Sequence, residues 1–325
     1  MKRVLTGIKP TGEQLHLGNY FGALKPMIDL ADSGEYEVFM FIANMHALTE
    51  YHDAGWIREN TFNVVKSYLA CGLDPNKVHI YLQSDVDGHA ELFWTLSCVT
   101  NVGFMKRMHA YKAAVDQGRG DEISMGTFNY PILMASDIIL YSPDFVPVGK
   151  DQKQHVEYAR DIAQKFNHMF WETFKLPQPM ISEAVATVPW TDGRKMSKSY
   201  NNYIGLFDDP KVIKKKVMRI PTAAISIEAP KNPDDCNVYK IFKLFLNPEE
   251  DQALRKRYEA WGLGFGEVKK ELVEKIVHFL EPIQQKYQAI TDEQVLDILK
   301  KGASQVAPTA EKKIREVYEK VGFSL

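Results

Sequence analysis

Apolar positions along this chain follow two rhythms, and the switch between them divides the molecule. Up to Ser199, short apolar runs at Val4-Leu5-Thr6, Val38 to Ile42, Val78 to Leu82 and Phe145 to Val148 alternate with longer stretches of helical spacing, among them Asp53 to Cys71 and Gln152 to Asn167. A strand covered on both faces needs apolar residues throughout, not at every second position, so this alternation predicts an α/β domain around a parallel sheet. Side chains at the junctions after such strands converge at the strand C-terminal ends, where the ligand crevice lies. Residues 83–127 break the rhythm with helices alone. Past Ser199 the strand-like runs stop. Asp208 to Val217, Val238 to Leu246, Asp251 to Ala260 and Val268 to Ala289 read as amphipathic helices, with two final ones at Asp292 to Lys301 and Thr309 to Val321. A second, all-helical domain is expected there. Pro221, Pro230 and Pro233 fall in a polar stretch suited to an irregular loop.

Composition bounds the class. With 325 residues, 45% of them hydrophobic, the chain can fill one large core and a smaller satellite. No apolar run approaches the roughly 20 residues that span a bilayer, and Met1-Lys2-Arg3 leads into the first strand with no signal-peptide core, so no membrane partner and a cytoplasmic location are expected. Cys71, Cys98 and Cys236 are scattered and odd in number, which suggests reduced thiols and neither a disulfide framework nor a thiolate metal site. The net charge of −2 does not mark a nucleic-acid binder, but charge is clustered. Lys211, Lys214, Lys215, Lys216 and Arg219 form one basic group, and Lys106, Arg107, His109 and Lys112 another beside Tyr111. Each reads either as a surface for nucleic-acid phosphates or as a solvated helix face.

Two short segments carry candidate chemistry. The strand at Val4-Leu5-Thr6 and the helix opening at Asn19 enclose a loop with Gly7, Pro10, Gly12 and Gly18. Glycines at such a junction let backbone N–H groups approach an anion at the positive end of the helix, and His16 and Asn19, three apart, can both donate to phosphate oxygens. A plain turn is the alternative. Downstream, the turn Thr191-Asp192-Gly193-Arg194 leads into Lys195-Met196-Ser197-Lys198-Ser199. Two ammonium groups three residues apart can embrace a polyphosphate whose charge grows as a bond to phosphorus breaks. The alternative there is a solvated lysine loop.

Gly7-x-x-Pro10-Thr11-Gly12, then His16-Leu17-Gly18-Asn19, then Lys195 to Ser199 resemble, in order and context, the HIGH and KMSKS signatures of the class I aminoacyl-tRNA synthetases. Tyr130 to Tyr141 and Val146 to His155 are similar to the bacterial-type tryptophanyl members, and the resemblance covers essentially the whole chain. It implies a Rossmann-like catalytic domain over 1–200 with a helical insertion at 83–127 and a clamp loop at 190–200. It further implies a helical anticodon-binding domain over 201–290 and C-terminal helices at 291–325 that brace the catalytic domain. The implied activity joins L-tryptophan to ATP as tryptophanyl-adenylate, releases pyrophosphate, and passes the acyl group to the terminal ribose of tRNA(Trp). Mg2+ on the nucleotide phosphates and a homodimer built through the insertion come with it. Some relatives hold an iron–sulfur cluster on four closely spaced cysteines; only Cys236 lies in that region here, so no cluster is expected.

By the same resemblance, Lys9, Pro10, Thr11, Gly18 and Asn19 surround ATP, with Lys9 standing where many relatives carry glutamine. Gly149 and Lys150 approach the nucleotide through their backbone, Lys150 replacing a glutamate, and Asp151 accepts from ribose hydroxyls. Ala186 and Met196 fall where the family contacts adenine, and Ser197 and Ser199 complete the nucleotide set. His16, Asn19, Lys112, Lys195 and Lys198 are the candidate catalytic residues, the lysines being the cations that reach phosphate.

The amino-acid pocket admits a reading from the residues. Pro131 in the first turn of a helix would set Met134 and Asp137 on one face. An indole offers a flat apolar body and one N–H, so a thioether can pack the ring while an acceptor-only carboxylate takes the hydrogen. Such an acceptor rejects a ligand without the donor by a factor on the order of 10⁴ or more. Core filling for Met134 and a satisfied helix acid for Asp137 are the alternatives. Leu5, Val146 and Val148 supply the apolar wall, the two valines alternating on one strand face. Tyr130, just before the helix, and Gln152 face the α-amino group by the resemblance, and His46 either orients the substrate or is a packed histidine. Two rivals stand: a tyrosyl-tRNA synthetase, disfavoured by the Met134 and Asp137 pairing, and a non-catalytic tryptophan- or RNA-binding regulator, disfavoured by intact His16, Asn19, Lys195 and Lys198.

Overall fold

Among the described residues, β1 (Lys2–Ile8), β2 (Tyr36–Ile42), β3 (Val78–Leu82), β4 (Phe145–Pro147) and β5 (Gln178–Met180) form one parallel sheet in the order β3-β2-β1-β4-β5. The structure is a computed structural model that describes all residues except 13, 119, 121, 150–152, 182–195, 197–201 and 325, and all side chains of those it describes except Ala110 and Ala114. β2 is buried from Val38 to Ile42, which is why its sequence is apolar on both faces. Val4 pairs with Val38 on one side and Phe145 on the other, so the strand order reverses between β1 and β4. Open α/β sheets bind ligands at such a reversal. Asp144 fastens the junction: its carboxylate accepts from the Arg3 N–H at 2.8 Å, and its carbonyl accepts from the Gln178 N–H at 2.9 Å. β5 is not announced by the apolar pattern, because Gln178-Pro179-Met180 is short, half polar and at the sheet edge, where proline is tolerated.

Contacts divide the chain into two compact units. The first comprises Met1–Gly12, Ile28–Ser182 and Thr291–Leu325. Around its sheet lie helices Ala54–Ala70, Gly88–Val99, Met125–Ile139, Lys153–Phe170 and Asp292–Val321. Asp53 caps the first of these by accepting from the Trp56 N–H at 2.7 Å. Ser124 caps Met125–Ile139 in the same way, accepting from Thr127 at 3.1 Å. Pro131 therefore lies inside that helix and not in its first turn, and Tyr130 is part of the helix. The two helices expected at the C-terminus are one helix of 30 residues that runs through Pro308. A proline costs a helix about 3 kcal/mol, but Leu299, Val306, Ala310, Ile314 and Val317 bury one continuous face across it. This helix packs on β3 at Gly302, where a Cβ would stand 1.9 Å from the Ile80 carbonyl oxygen.

The second unit comprises Glu13–Met27 and Glu183–Ile290. Its first described elements are the short helix Leu17–Asn19 and a π-helical turn Tyr20–Leu24, followed later by helices Pro210–Met218, Asn237–Lys243, Pro248–Glu259 and Phe265–Ala289. Ile213, Val217, Leu254, Tyr258, Leu272 and Ile276 are buried between them. The Lys269 ammonium group donates to the carbonyls of Met218 (3.2 Å) and Ile220 (2.6 Å), satisfying the C-terminal end of Pro210–Met218. Among the described residues no helix is long and apolar enough to cross a membrane.

Candidate functional site

Where the strand order reverses in the first unit, a cavity of about 780 Å³ opens at the C-terminal ends of β1 and β4. That volume is within the range of about 300–1,000 Å³ usual for small-molecule sites. Leu5 and Gly7 of β1 and Val146 and Val148 at β4 form one side, and Met134 and Asp137 of Met125–Ile139 form another. Gly7 is required by its ladder partner, since a Cβ there would meet the Phe41 ring at 2.3 Å.

Asp137 is fully buried yet belongs to the cavity wall. Its Oδ1 accepts from Gln83 Nε2 at 2.8 Å and from His89 Nδ1 at 2.7 Å, and its Oδ2 accepts from His46 Nε2 at 2.8 Å. Burial alone would raise this carboxyl, but the hydrogen bonds from His46 and His89 and their electrostatic attraction outweigh it and hold its pKa at about 2. A carboxylate has about four lone-pair positions. Three described donors fill three of them, so Asp137 is a satisfied acid that retains one acceptor position, on Oδ2.

Of the residues expected at the amino-acid pocket, Leu5, His46, Tyr130, Met134, Asp137, Val146 and Val148 all line this cavity, and Gly149 joins them. His46 is both a packed histidine and a wall residue, its ring 6.1 Å from that of Tyr130. Burial, with Glu50 and Tyr158 nearby, raises the Tyr130 phenol pKa, so its proton stays in place. Lys9 also lines the cavity, but its ammonium group pairs with Glu50 at 2.7 Å, so the extra positive charge expected there is compensated. Pro10 is buried, Thr11 is exposed, and neither is among the described residues lining the cavity. Lys112 is exposed on the helix His109–Asp116 and is likewise absent from that lining. Lys150, Asp151, Gln152, Ala186, Lys195, Ser197, Lys198 and Ser199 lie outside the described residues.

In the second unit Gly18 of the first signature meets Met196. His16 caps Leu17–Asn19: its Nδ1 accepts from the Asn19 N–H at 3.2 Å, and Asn19 Oδ1 accepts from the His16 N–H at 3.1 Å. The reciprocal pair uses the carbonyl oxygen of the Asn19 amide and leaves its nitrogen as the donor end. The Leu17 N–H donates to the Ile204 carbonyl at 3.0 Å, and the Gly18 N–H to the Met196 sulfur at 3.2 Å. The backbone N–H groups of Leu17, Gly18 and Asn19 thus make these contacts within the unit. A side chain at Gly18 would be tight, since a Cβ would lie 3.0 Å from the His16 ring and 3.2 Å from Met196 Cβ.

Sequence reasoning missed Gln83, His89 and Tyr141, which support Asp137, and Glu50, Thr127 and His155 in the wall. Gln83 follows directly on β3, so the same strand-end rule that marked His46 would have marked it. His89 had the weaker signal of a polar residue on the buried face of a largely apolar helix. Among the described residues no group of three or more His, Cys, Asp or Glu side chains is placed to hold a metal ion.

A parallel sheet with its cavity at the strand reversal, and a second unit in which His16, Gly18 and Met196 come together, define a class. Residues 1–281 match the family model for class I tRNA synthetases (W and Y), and the chain belongs to that family. The tryptophan–tRNA ligase of Fusobacterium nucleatum subsp. nucleatum is 46% identical over 326 residues, covering 99% of this chain and 98% of that one. The tryptophan–tRNA ligase of Campylobacter jejuni is 43% identical over 323 residues, covering 99% of this chain and all of its own length (100%). The crystal structure of the Campylobacter jejuni tryptophanyl-tRNA synthetase complexed with ADP and tryptophan matches with a TM-score of 0.89 at 42% identity, over 98% of this chain and 99% of that one.

Proposed function

We propose that this chain is a tryptophan–tRNA ligase that activates L-tryptophan with ATP and transfers it to tRNA(Trp). The observation that carries the reading is the pairing of Met134 and Asp137 on one cavity wall, with an acceptor position on Asp137 Oδ2. The thioether packs the indole face, Leu5, Val146 and Val148 enclose the ring, and Oδ2 accepts the indole N–H. A phenol presents its hydroxyl elsewhere on a smaller ring and fills this wall less well. The names of the relatives and the tryptophan in the Campylobacter complex support the same substrate.

Activation needs no enzyme nucleophile. The tryptophan carboxylate attacks the α-phosphate, an acyl–phosphate bond forms, and pyrophosphate leaves with the electron pair of the broken bond. The protein contributes position and charge. Tyr130 and Gln152 hold the α-amino group; Asn19, Lys195 and Lys198 serve the phosphates; Gly149, Asp151 and Ala186 serve the nucleoside. In the second step the terminal ribose hydroxyl of the tRNA takes the acyl group and the adenylate leaves. Mg2+ would come with the nucleotide and supply charge stabilisation for its phosphates. The ligase works in the cytoplasm as a homodimer built through the inserted helices, where Trp94 and Val102 stand exposed.

Amino-acid-dependent exchange of pyrophosphate into ATP tests the reading. Tryptophan is expected to support exchange, with tyrosine and phenylalanine far weaker. Parity of tryptophan and tyrosine would overturn the assignment, and tryptophan binding without exchange would leave a regulator in its place.

A further inference from the structure

We infer that His89, which is not among the residues lining the cavity, is a positioning residue for amino-acid selection: with Gln83 it fills Asp137 Oδ1, so that Oδ2 keeps the one acceptor position for the substrate. This rests on the proposed reading in which Oδ2 accepts the indole N–H.

Three donors reach Asp137 from two sides. Gln83 Nε2 (2.8 Å) and His89 Nδ1 (2.7 Å) both bond Oδ1, and Gln83 and His89 are completely buried. His46, on Oδ2, keeps some exposure and lines the cavity. An ionised carboxylate only accepts, so His89 Nδ1 must carry the hydrogen, and His89 Nε2 meets the Tyr141 hydroxyl at 3.0 Å. Burial raises the Tyr141 phenol, which keeps its proton to give to Nε2 and thereby fixes which ring nitrogen points at the acid. The ring is walled by Phe41, Tyr81 and Tyr141 at centroid distances of 5.7, 6.1 and 5.6 Å. Its backbone is held as well, since the His89 carbonyl accepts from Ser136 Oγ at 2.7 Å, next to Asp137.

A carboxylate held by one donor can turn about its own axis and offer either oxygen. One whose first oxygen takes two fixed donors cannot. Gln83 shares the task and extends it, because its Oε1 accepts from the Met45 N–H at 3.2 Å, beside His46.

The test compares L-tryptophan with its sulfur isostere, L-β-(3-benzothienyl)alanine, in which the ring N–H becomes S. Pyrophosphate exchange gives kcat/KM for each substrate in the wild type and in His89→Leu, His89→Asn and Tyr141→Phe. The wild type is expected to prefer tryptophan by on the order of 10⁴-fold. His89→Leu should cut that ratio at least tenfold, raising KM for tryptophan while KM for ATP holds. His89→Asn, whose amide nitrogen stands near the place of Nδ1, should restore most of the ratio, and Tyr141→Phe should lower it partly. If His89→Leu slows both substrates equally and the ratio stands, His89 is structural and the inference fails alone; if His89→Leu does not fold, an unchanged ratio in Tyr141→Phe has the same force. If the wild type itself shows no preference for the N–H, the acceptor reading of Asp137 fails, and the inference with it.

Discussion

In the proposed reading Asp137 concentrates the selectivity in one oxygen, because Gln83, His89 and His46 fill three of its four acceptor positions and the fourth is on Oδ2. Asparagine would offer one carbonyl and an amide that confronts the donors of His46 or His89. Asp137→Asn is therefore expected to lower kcat/KM for tryptophan by about 10- to 100-fold, the scale of a hydrogen bond to a charged group, with KM for ATP little changed. Pyrophosphate exchange at varied tryptophan checks this; an unaltered preference for tryptophan over tyrosine would place the acceptor elsewhere. The same group makes an acid signature. Its pKa is lowered from 3.8 to about 2, so its contribution to stability is present in full above about pH 4 and is lost as the pH falls through the folded value. Urea titrations between pH 5 and 2 should show wild-type stability falling more steeply than that of Asp137→Asn. Parallel curves would mean that the carboxylate gains nothing from its two histidines.

The long C-terminal helix depends on Gly302, whose missing side chain lets it lie against the β3 backbone. Gly302→Ala drives a methyl group into the Ile80 carbonyl and is expected to cost about 3 kcal/mol or more, read as a lowered Tm. Gly266→Ala, in Phe265–Ala289 with nothing within 4 Å, should instead gain about 0.5–1 kcal/mol. A small loss at Gly302 would mean the helix is not held there. The four longer apolar runs were legible as strands because a sheet covered on both faces leaves a pattern that few other structures produce. β5 was not, since its three residues pair at an edge without an apolar run. Pro131 and Pro308 were misread for one reason: a local penalty marks a helix boundary in sequence, whereas burial of a long apolar face can outweigh it.

At the scale of the molecule, the cavity wall was legible wherever residues sit at strand ends or on one helix face, as Leu5, Val146, Met134 and Asp137 do. The support behind it was not, because Gln83, His89 and Asp137 come from three segments whose meeting is decided by helix packing on the sheet. In the second unit, contact between Gly18 and Met196 joins segments 178 positions apart, a closeness that only the resemblance had suggested. The first unit folds around the proposed pocket, so L-tryptophan at 100 times its Kd should stabilise that unit by about 2.7 kcal/mol in calorimetry. Tyrosine at the same concentration should leave the transition in place, and equal shifts would remove the selectivity. The most direct test of the whole account is a crystal structure of the chain with bound L-tryptophan. The account predicts the indole nitrogen within about 3 Å of Asp137 Oδ2, with Met134 against the ring and Gln83 and His89 still on Oδ1. An indole lodged away from that wall, with its nitrogen out of hydrogen-bond reach of Asp137, would contradict it.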